Sequence, residues 1–307
     1  MQPNKEFCSI IISPYCSNNC VFCRPQGTSN KISPYELSKL EQDISASIKE
    51  FRKKGYNRIE ISGADPLEYG KLPELITTLN TNGYKWIRIS TNGVKLSDIN
   101  FTKTILKKKV DILRIALYGS TAPIHDSVTG AKGSFNQTIE GIKNIKKAAK
   151  HTKILLTSLL LKQNALNLNS IFDLMHNLGC DDLYFSPVFI SNGDYSYYIP
   201  HKMQGHFLRK LIKHALKSKK KIRFRETPFC IIGYDNDFTN NKGKVAHLGS
   251  KFQPLTQHRT KVIDLPSYRK KIKINICKNC SVSYKCDGFL MNDILKYGSG
   301  NLKAVKN

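Results

Sequence analysis

Three cysteines, Cys16, Cys20 and Cys23, fall within eight consecutive residues of the stretch SPYCSNNCVFCRP. Thiolates are soft ligands that select zinc, copper(I) or iron–sulfur clusters. A structural zinc takes four ligands, usually as two separated pairs, and no histidine lies near this loop. Three thiolates instead suit three irons of a [4Fe–4S] cube. The fourth iron is then open to a small molecule, which suits catalysis; clusters for simple electron transfer normally have four cysteines. A second group, Cys277, Cys280 and Cys286, is spaced C-x2-C-x5-C near the other end, with Cys230 upstream of it. Cys8 and Cys180 sit in apolar segments and read as ordinary buried cysteines.

The chain has 307 residues, 40% of them hydrophobic, enough for a sizeable core and about two domains. It has no apolar run of membrane-spanning length, and MQPNKEF lacks the apolar stretch of a signal peptide. A cytoplasmic location follows, where nine cysteines stay reduced and point to metal or redox chemistry rather than disulfides. Lys and Arg number 49 against 23 Asp and Glu, a formal charge of +26. That surplus has two readings: a site for nucleic acid or another polyanion, or lysines spread over exposed helix faces. Few of the lysines interleave with aromatics as single-strand binding prefers. No P-loop or dinucleotide fingerprint is present.

Positioning such a loop is the work of the elements around it. Strands are expected at 7–13, 57–62, 85–91, 111–118, 153–161 and 181–187. Helices are expected at 33–54, 71–82, 97–109, 134–150 and 167–178 between them. Alternation of this kind implies a parallel sheet with crossover helices. Within the strands one face is apolar (Ile59 and Ile61; Ile87 and Ile89; Leu113 and Ile115; Leu183 and Phe185). The other is mixed (Glu60; Arg88 and Ser90; Arg114; Tyr184). A curved sheet explains this, with helices outside and a polar pocket inside; the alternative is charged residues at strand ends in water. Glu60, Arg88 and Arg114 on that inner face either bind a ligand or pair with one another. Past residue 190 the pattern changes. SNGDYSYY reads as a loop, 201–218 as a basic helix, KKIRFRET as a short strand, and 235–262 has no clear period. The boundary places one domain at 1–195 and a smaller one at 196–307.

The loop, C-x3-C-x2-C after a first strand with Phe22 before its last cysteine, resembles that of the radical S-adenosylmethionine (SAM) enzymes. SGADPL (62–67) is similar to the family's Gly-Gly-Glu-Pro segment after the second strand. ISTNG (89–93) resembles its third-strand Thr-Asn-Gly segment. IALYGSTAPIHDSVTGAKGSF (115–135) is similar to the stretch after the fourth strand. The resemblance covers roughly residues 7–190 and implies a partial (β/α)6 TIM-type barrel followed by a small α+β iron–sulfur domain. It implies Cys16, Cys20 and Cys23 as cluster ligands and the backbone around Phe22 at the adenine. Gly63, Ala64 and Asp65 would receive the methionine amino group. Ala64 and Asp65 depart from the family's Gly and Glu; Ala116 and Thr129 stand where many relatives carry Ser and Arg. Ser90, Asn92, Tyr118 and Thr157 are the substitutes expected to touch the cofactor. His125 and Asp126 read as shaping the loop after strand four rather than as an acid–base pair.

The C-terminal cysteines resemble the shortened twitch version of the SPASM domain, with one auxiliary [4Fe–4S] cluster on Cys277, Cys280 and Cys286. Cys230 is the expected fourth ligand; without it an open iron could take substrate, and a structural zinc is the remaining alternative. The implied activity is reductive cleavage of SAM to a 5′-deoxyadenosyl radical that takes hydrogen from a substrate. A flavodoxin or ferredoxin would supply the electron. Maturation of a ribosomally made peptide or protein is the first substrate expectation. No leader-binding domain fits before Cys16, so recognition would fall to the C-terminal domain or a partner. Radical modification of a nucleotide or RNA is the alternative favoured by charge, and a non-catalytic iron–sulfur scaffold or carrier is the third. Residues 249–261 are a further candidate for substrate contact.

Overall fold

The computed structural model describes residues 7–13, 15–23, 33–149, 151–190, 193–233, 245–248, 256–258, 261–262 and 270–306. The six expected strands are present: β1 (Cys8–Ser13), β2 (Arg58–Gly63), β3 (Trp86–Thr91), β4 (Ile112–Ala116), β5 (Lys153–Leu160) and β6 (Asp182–Pro187). The crossovers contain α1 (Pro34–Lys53), α2 (Leu72–Thr81), α3 (Ile99–Leu106), α4 (Ala122–Thr129), α5 (Ser134–Ala148) and α6 (Leu168–Asn177). Helix α4 was not expected. Its eight residues are too short to show a helical period, and it rests on Pro at its start and left-handed Gly130 at its end.

The sheet extends beyond the sixth strand. After α7 (His201–Lys217), β7 (Ile222–Arg225) pairs with β6 in parallel, setting Tyr184 opposite Arg223 and Phe185 opposite Phe224. β8 (Val245–Leu248) pairs with β7, and β9 (Thr256–His258) with β1, both in parallel; β10 (Lys261–Val262) runs antiparallel to β9. The order is β10-β9-β1-β2-β3-β4-β5-β6-β7-β8. Strands β1 to β8 wind in sequence order, but β8 is an edge and does not reach β1, so the barrel is partial. The segment read as aperiodic thus contributes three short strands, set by pairing with longer neighbours rather than by their own pattern.

Outward residues of the strands, among them Ile59, Ile87, Leu113, Leu156, Phe185 and Phe224, are at most 1% exposed and pack with the helices into one core. Each such side chain contributes about 1.5–3 kcal/mol by leaving water. The inward positions of β4 to β7 are half-buried instead, so burial alternates along each strand. That alternation establishes a concave, accessible inner face.

A small unit follows α8 (Phe229–Ile232): the antiparallel pair β11 (Lys271–Ile272) and β12 (Phe289–Leu290), then α9 (Met291–Tyr297). It is latched to α7, where the buried His201 takes a hydrogen bond on Nε2 from the Leu290 amide (3.2 Å). The His201 amide in turn donates to the Asp293 carboxylate (3.2 Å).

Candidate active site

The N-terminal cysteine loop leaves the end of β1 and is tied across the C-terminal ends of the next strands. Tyr15 O accepts from the Asp65 amide at the end of β2 (2.8 Å), and the Ser17 amide donates to Glu68 Oε1 (2.6 Å). Asn92, after β3, places Nδ2 3.5 Å from Cys16 Sγ. The Asn19 and Val21 amides donate to the Thr129 and Val128 carbonyls of α4 (2.8 and 3.0 Å). Gly130 permits that approach: at φ +62° it has no side chain, and a Cβ there would lie 2.4 Å from Asn19 O. Within the loop the Cys23 amide donates to Cys20 O (2.9 Å), closing a turn that gathers the thiols.

Burial pushes the Cys16 thiol up to about 11 and Cys20 higher still, with Cys23 and Cys16 next to Cys20 adding to its rise. Cys23 is raised by burial as well. Three such thiols stay protonated at neutral pH unless a metal takes the place of the protons, which deprotonates a coordinating thiol outright. The donor set, three soft sulfurs in one loop, fits an iron–sulfur group.

Phe22 packs edge-on against Tyr118 (centroids 5.3 Å apart) and Tyr197 (6.5 Å). Tyr197 belongs to a second apolar cluster with Val128, Leu161, Val188, Ile190 and Tyr198 that backs the loop. It lies in a segment read as loop, and only the repeated tyrosines of SYY hinted at an apolar role. Tyr118 stacks on His125 (5.9 Å), whose Nδ1 accepts from the Tyr118 amide (3.2 Å). Burial lowers His125 to about 4. Asp126 caps α5, accepting from Gly133 N (2.6 Å), Ser134 Oγ and Phe135 N (both 2.9 Å). Through these contacts both residues shape the turn between β4 and α5.

The other expected cofactor contacts divide. Gly63 (φ +142°) and Ala64 are exposed at the end of β2. Asp65 is 1% exposed, and its carboxylate already accepts from Leu67 N, Thr91 Oγ1 and Asn92 N at 2.8–2.9 Å. Its carboxylate therefore pins the ends of β2 and β3 together, and the backbone of 63–64 is the part open to a ligand. Ser90 Oγ is turned down the lumen and donates to Glu60 Oε1 (2.5 Å). Asn92 sits at Cys16; Thr157 faces the lumen of β5, half-buried.

Below the loop, Glu60 receives Arg88 (2.5 Å) on one carboxylate oxygen and Arg114 on the other. Burial alone would raise its carboxyl, but Arg114 and Arg88 hold it down to about 2. On β7, burial and then the charge of Arg114 lower the pKa of Arg225. The residues left between binding and pairing do pair. Arg223 and Arg225 were missed, although IRFR repeats the alternation of RIEIS and WIRIS.

At the other end, Cys230, Cys277, Cys280 and Cys286 line one pocket with Phe229, Ile276, Val282 and Phe289. Burial raises Cys230 to about 12, with Cys286, Cys277 and Cys280 adding to it in that order. No three His, Cys, Asp or Glu among the described residues are arranged around a single metal ion. Cys8 is buried, with Sγ donating to Arg58 O, and Cys180 is half-buried against the core. Residues 249–255 and 259–260 of the candidate stretch 249–261 lie outside the described residues.

A partial β/α barrel with a cysteine loop at the strands' C-terminal ends defines a class of cluster-dependent enzymes. Residues 10–186 match the Radical SAM superfamily, and the chain belongs to that superfamily of enzymes. A Metallosphaera sedula protein named "Probable GTP 3',8-cyclase" is 24% identical over 217 residues, 68% of this chain and 64% of that protein. A Saccharolobus solfataricus protein of the same name is 30% identical over 135 residues, 44% and 42% of the two chains. This chain thus spans 64% and 42% of the length of these curated relatives. Streptococcus suis SuiB, solved with S-adenosylmethionine, shares the fold over 98% of this chain and 77% of its own, with TM-score 0.65 and 13% identity. Its complex with precursor peptide SuiA gives 0.63, 14%, 98% and 75%. No helix among the described residues is long and apolar enough to cross a membrane.

Proposed function

We propose that Cys16, Cys20 and Cys23 hold a [4Fe–4S] cluster and that the chain cleaves SAM reductively to start radical chemistry on a substrate in the barrel lumen. The observation that carries this reading is the three-thiol loop tied over the ends of β1 to β4, directly above an open inner face. Held by these cysteines, a reduced cluster would supply the electron that splits SAM into methionine and a 5′-deoxyadenosyl radical, with a flavodoxin or ferredoxin as its donor. The chain's own residues do the rest. The exposed 63–64 backbone offers carbonyl oxygens to an ammonium group. Phe22, Tyr118 and Tyr197 form an apolar wall that keeps water from the loop. Asp65 fixes the ends of two strands so that Asn92 stays at Cys16.

We also propose residues 1–195 as the radical-generating core, its sheet continued by β7 to β10, and residues 196–307 as carrying an auxiliary [4Fe–4S] cluster on Cys230, Cys277, Cys280 and Cys286. These four sulfurs line one pocket, which suits a cluster spanning them; a structural zinc on the same cysteines is the alternative. Two substrate readings have separate support. Peptide or protein maturation is supported by this four-cysteine unit and by the fold shared with SuiB. Nucleotide modification is supported by the names of the curated relatives and by the +26 charge.

The test is anaerobic reconstitution followed by chromatography for 5′-deoxyadenosine with dithionite and SAM. Formation by the wild-type protein and its loss in Cys16→Ala, Cys20→Ala and Cys23→Ala are expected. Equal formation by the three variants, or none by a fully loaded wild-type protein, refutes the reading and favours a carrier or scaffold.

A further inference from the structure

Asn92 is pinned on three sides, and its fourth side faces a sulfur of the cysteine loop. It follows β3, and Gly93 after it is left-handed (φ +81°), where a Cβ would lie 2.8 Å from Ile115 Cγ2. The Asn92 amide donates to Asp65 Oδ2 (2.8 Å), and its carbonyl accepts from Thr138 Oγ1 (3.0 Å). Its side-chain Oδ1 accepts from the Val94 amide (2.8 Å). That bond fixes which way the side chain points, because an NH2 group in the same place would set donor against donor. Nδ2 is therefore the end at the loop, 3.5 Å from both Cys16 Sγ and Ser17 Oγ. At that distance a contact to oxygen is long, whereas the larger radius of sulfur makes it ordinary.

The same sulfur lies near two carboxylates, Asp65 and Glu68, and also receives the Asn18 amide. Glu68 is fixed beside the loop by the Ser17 amide (2.6 Å). Negative charge next to an iron–sulfur group opposes the entry of an electron. Hydrogen bonds to its sulfurs favour that entry, because the added charge spreads onto the sulfurs. Both effects are stronger away from bulk water. Reduction brings in one electron, from a donor of the flavodoxin or ferredoxin class, and no bond forms or breaks.

We infer that Asn92 is a positioning residue for electron entry: through its Nδ2–H on Cys16 Sγ it raises the reduction potential of a [4Fe–4S] cluster held by Cys16, Cys20 and Cys23, offsetting Asp65 and Glu68. The inference rests on the cluster assignment proposed above and on neither substrate reading. The role differs from contact with SAM, since it is exerted through Cys16 and needs no cofactor bound. The three bonds that pin Asn92 hold the donor in place before the electron arrives, so little reorganisation accompanies reduction.

The test is a potentiometric titration of the reconstituted full chain without SAM, followed by electron paramagnetic resonance. The signal missing from Cys16→Ala identifies the N-terminal cluster. Asn92→Asp keeps the shape and an acceptor for Val94 but puts a carboxylate oxygen where the donor was. At the wild-type midpoint its ratio of reduced to oxidised cluster should fall about tenfold or more, equal to about 59 mV toward negative potential. Asn92→Leu and Asn92→Ala remove the donor without adding charge and should lower the ratio about threefold, equal to about 28 mV. Thr138→Val removes the strut to the Asn92 carbonyl, keeps the donor, and should titrate like wild type. A wild-type potential in Asn92→Leu and Asn92→Ala overturns the inference even if Asn92→Asp shifts, because the added charge alone then accounts for that shift. An equal shift in Thr138→Val overturns it as well. If neither uncharged variant loads iron, Asn92 serves cluster assembly instead, and the inference is again overturned. Shifted potentials with no 5′-deoxyadenosine from wild type refute the radical reading alone; unshifted potentials with normal 5′-deoxyadenosine refute this inference alone.

Discussion

Gly130→Ala tests how the cysteine loop is held. Gly130 sits at φ +62°, and a methyl group there would meet Asn19 O at 2.4 Å, where ordinary contacts begin near 3.4 Å. The left-handed backbone costs an L-residue about 1–2 kcal/mol. The loop must also retreat by roughly 1 Å to restore van der Waals distance. A retreat of that size breaks the hydrogen bonds from the Asn19 and Val21 amides to α4, each worth about 0.5–1.5 kcal/mol net. The combined cost is about 2–5 kcal/mol, concentrated on the segment that carries Cys20. Gly133→Ala is the matched control: Gly133 is also left-handed, at φ +87°, but nothing lies within 4 Å of the added methyl group. It should carry the backbone strain without touching the loop. The assay is iron and sulfide content after anaerobic reconstitution, with the change in the reduced cluster's electron paramagnetic resonance spectrum on adding SAM. Circular dichroism checks the fold of both variants. Gly130→Ala should lose most of the N-terminal cluster and its SAM response, and Gly133→Ala should keep both. If Gly130→Ala loads and responds like wild type, or if Gly133→Ala loses as much, α4 does not brace the loop and the reasoning is wrong.

Cys230→Ala should lower the iron content by up to one cluster while leaving the SAM-dependent spectral change intact; unchanged iron removes Cys230 from the second site. Glu60→Gln leaves buried Arg88 and half-buried Arg114 without their shared carboxylate and should cost about 3–5 kcal/mol, read as a lower urea midpoint. Because Glu60 is held down to about 2 from 4.5, its stabilisation is full above pH 4.5 and disappears as pH falls toward 2. Wild type should therefore lose stability more steeply than Glu60→Gln over that window. Asp293 behaves oppositely: burial raises it to about 6 from 3.8, so its favourable contribution is full below pH 3.8 and is lost as pH rises through 6. The stability of wild type relative to Asp293→Asn should rise as pH drops from 7 to 5. His201, kept neutral down to about 4 by burial, titrates in both proteins and largely cancels; a flat difference would show that Asp293 is not desolvated.

Much of this protein was legible one segment at a time. The alternation in RIEIS, WIRIS and ILRIA marks strands with one apolar and one mixed face, because side chains project to opposite faces with period two. The three clustered cysteines of the N-terminal loop declare soft-metal chemistry through spacing alone. Both signals are local, so chain order is enough to read them.

Tertiary structure decided which distant residues meet. Glu60, Arg88 and Arg114 could bind or pair until the parallel register set Glu60 opposite Arg88 and Ser90 opposite Arg114. Asp65 matched a motif position, yet the packing of β2 against β3 turned its carboxylate onto Thr91 and Asn92. Cys230 is separated in sequence from its partners, and only the fold of the C-terminal unit brings it to Cys277, Cys280 and Cys286. Strands β8 to β10 and Tyr197 were silent because their structure comes from pairing and packing with remote segments. Local periodicity fixes what a segment can become; the identity of its neighbours is a property of the three-dimensional arrangement, and there the ion pairs and caps around this site were decided.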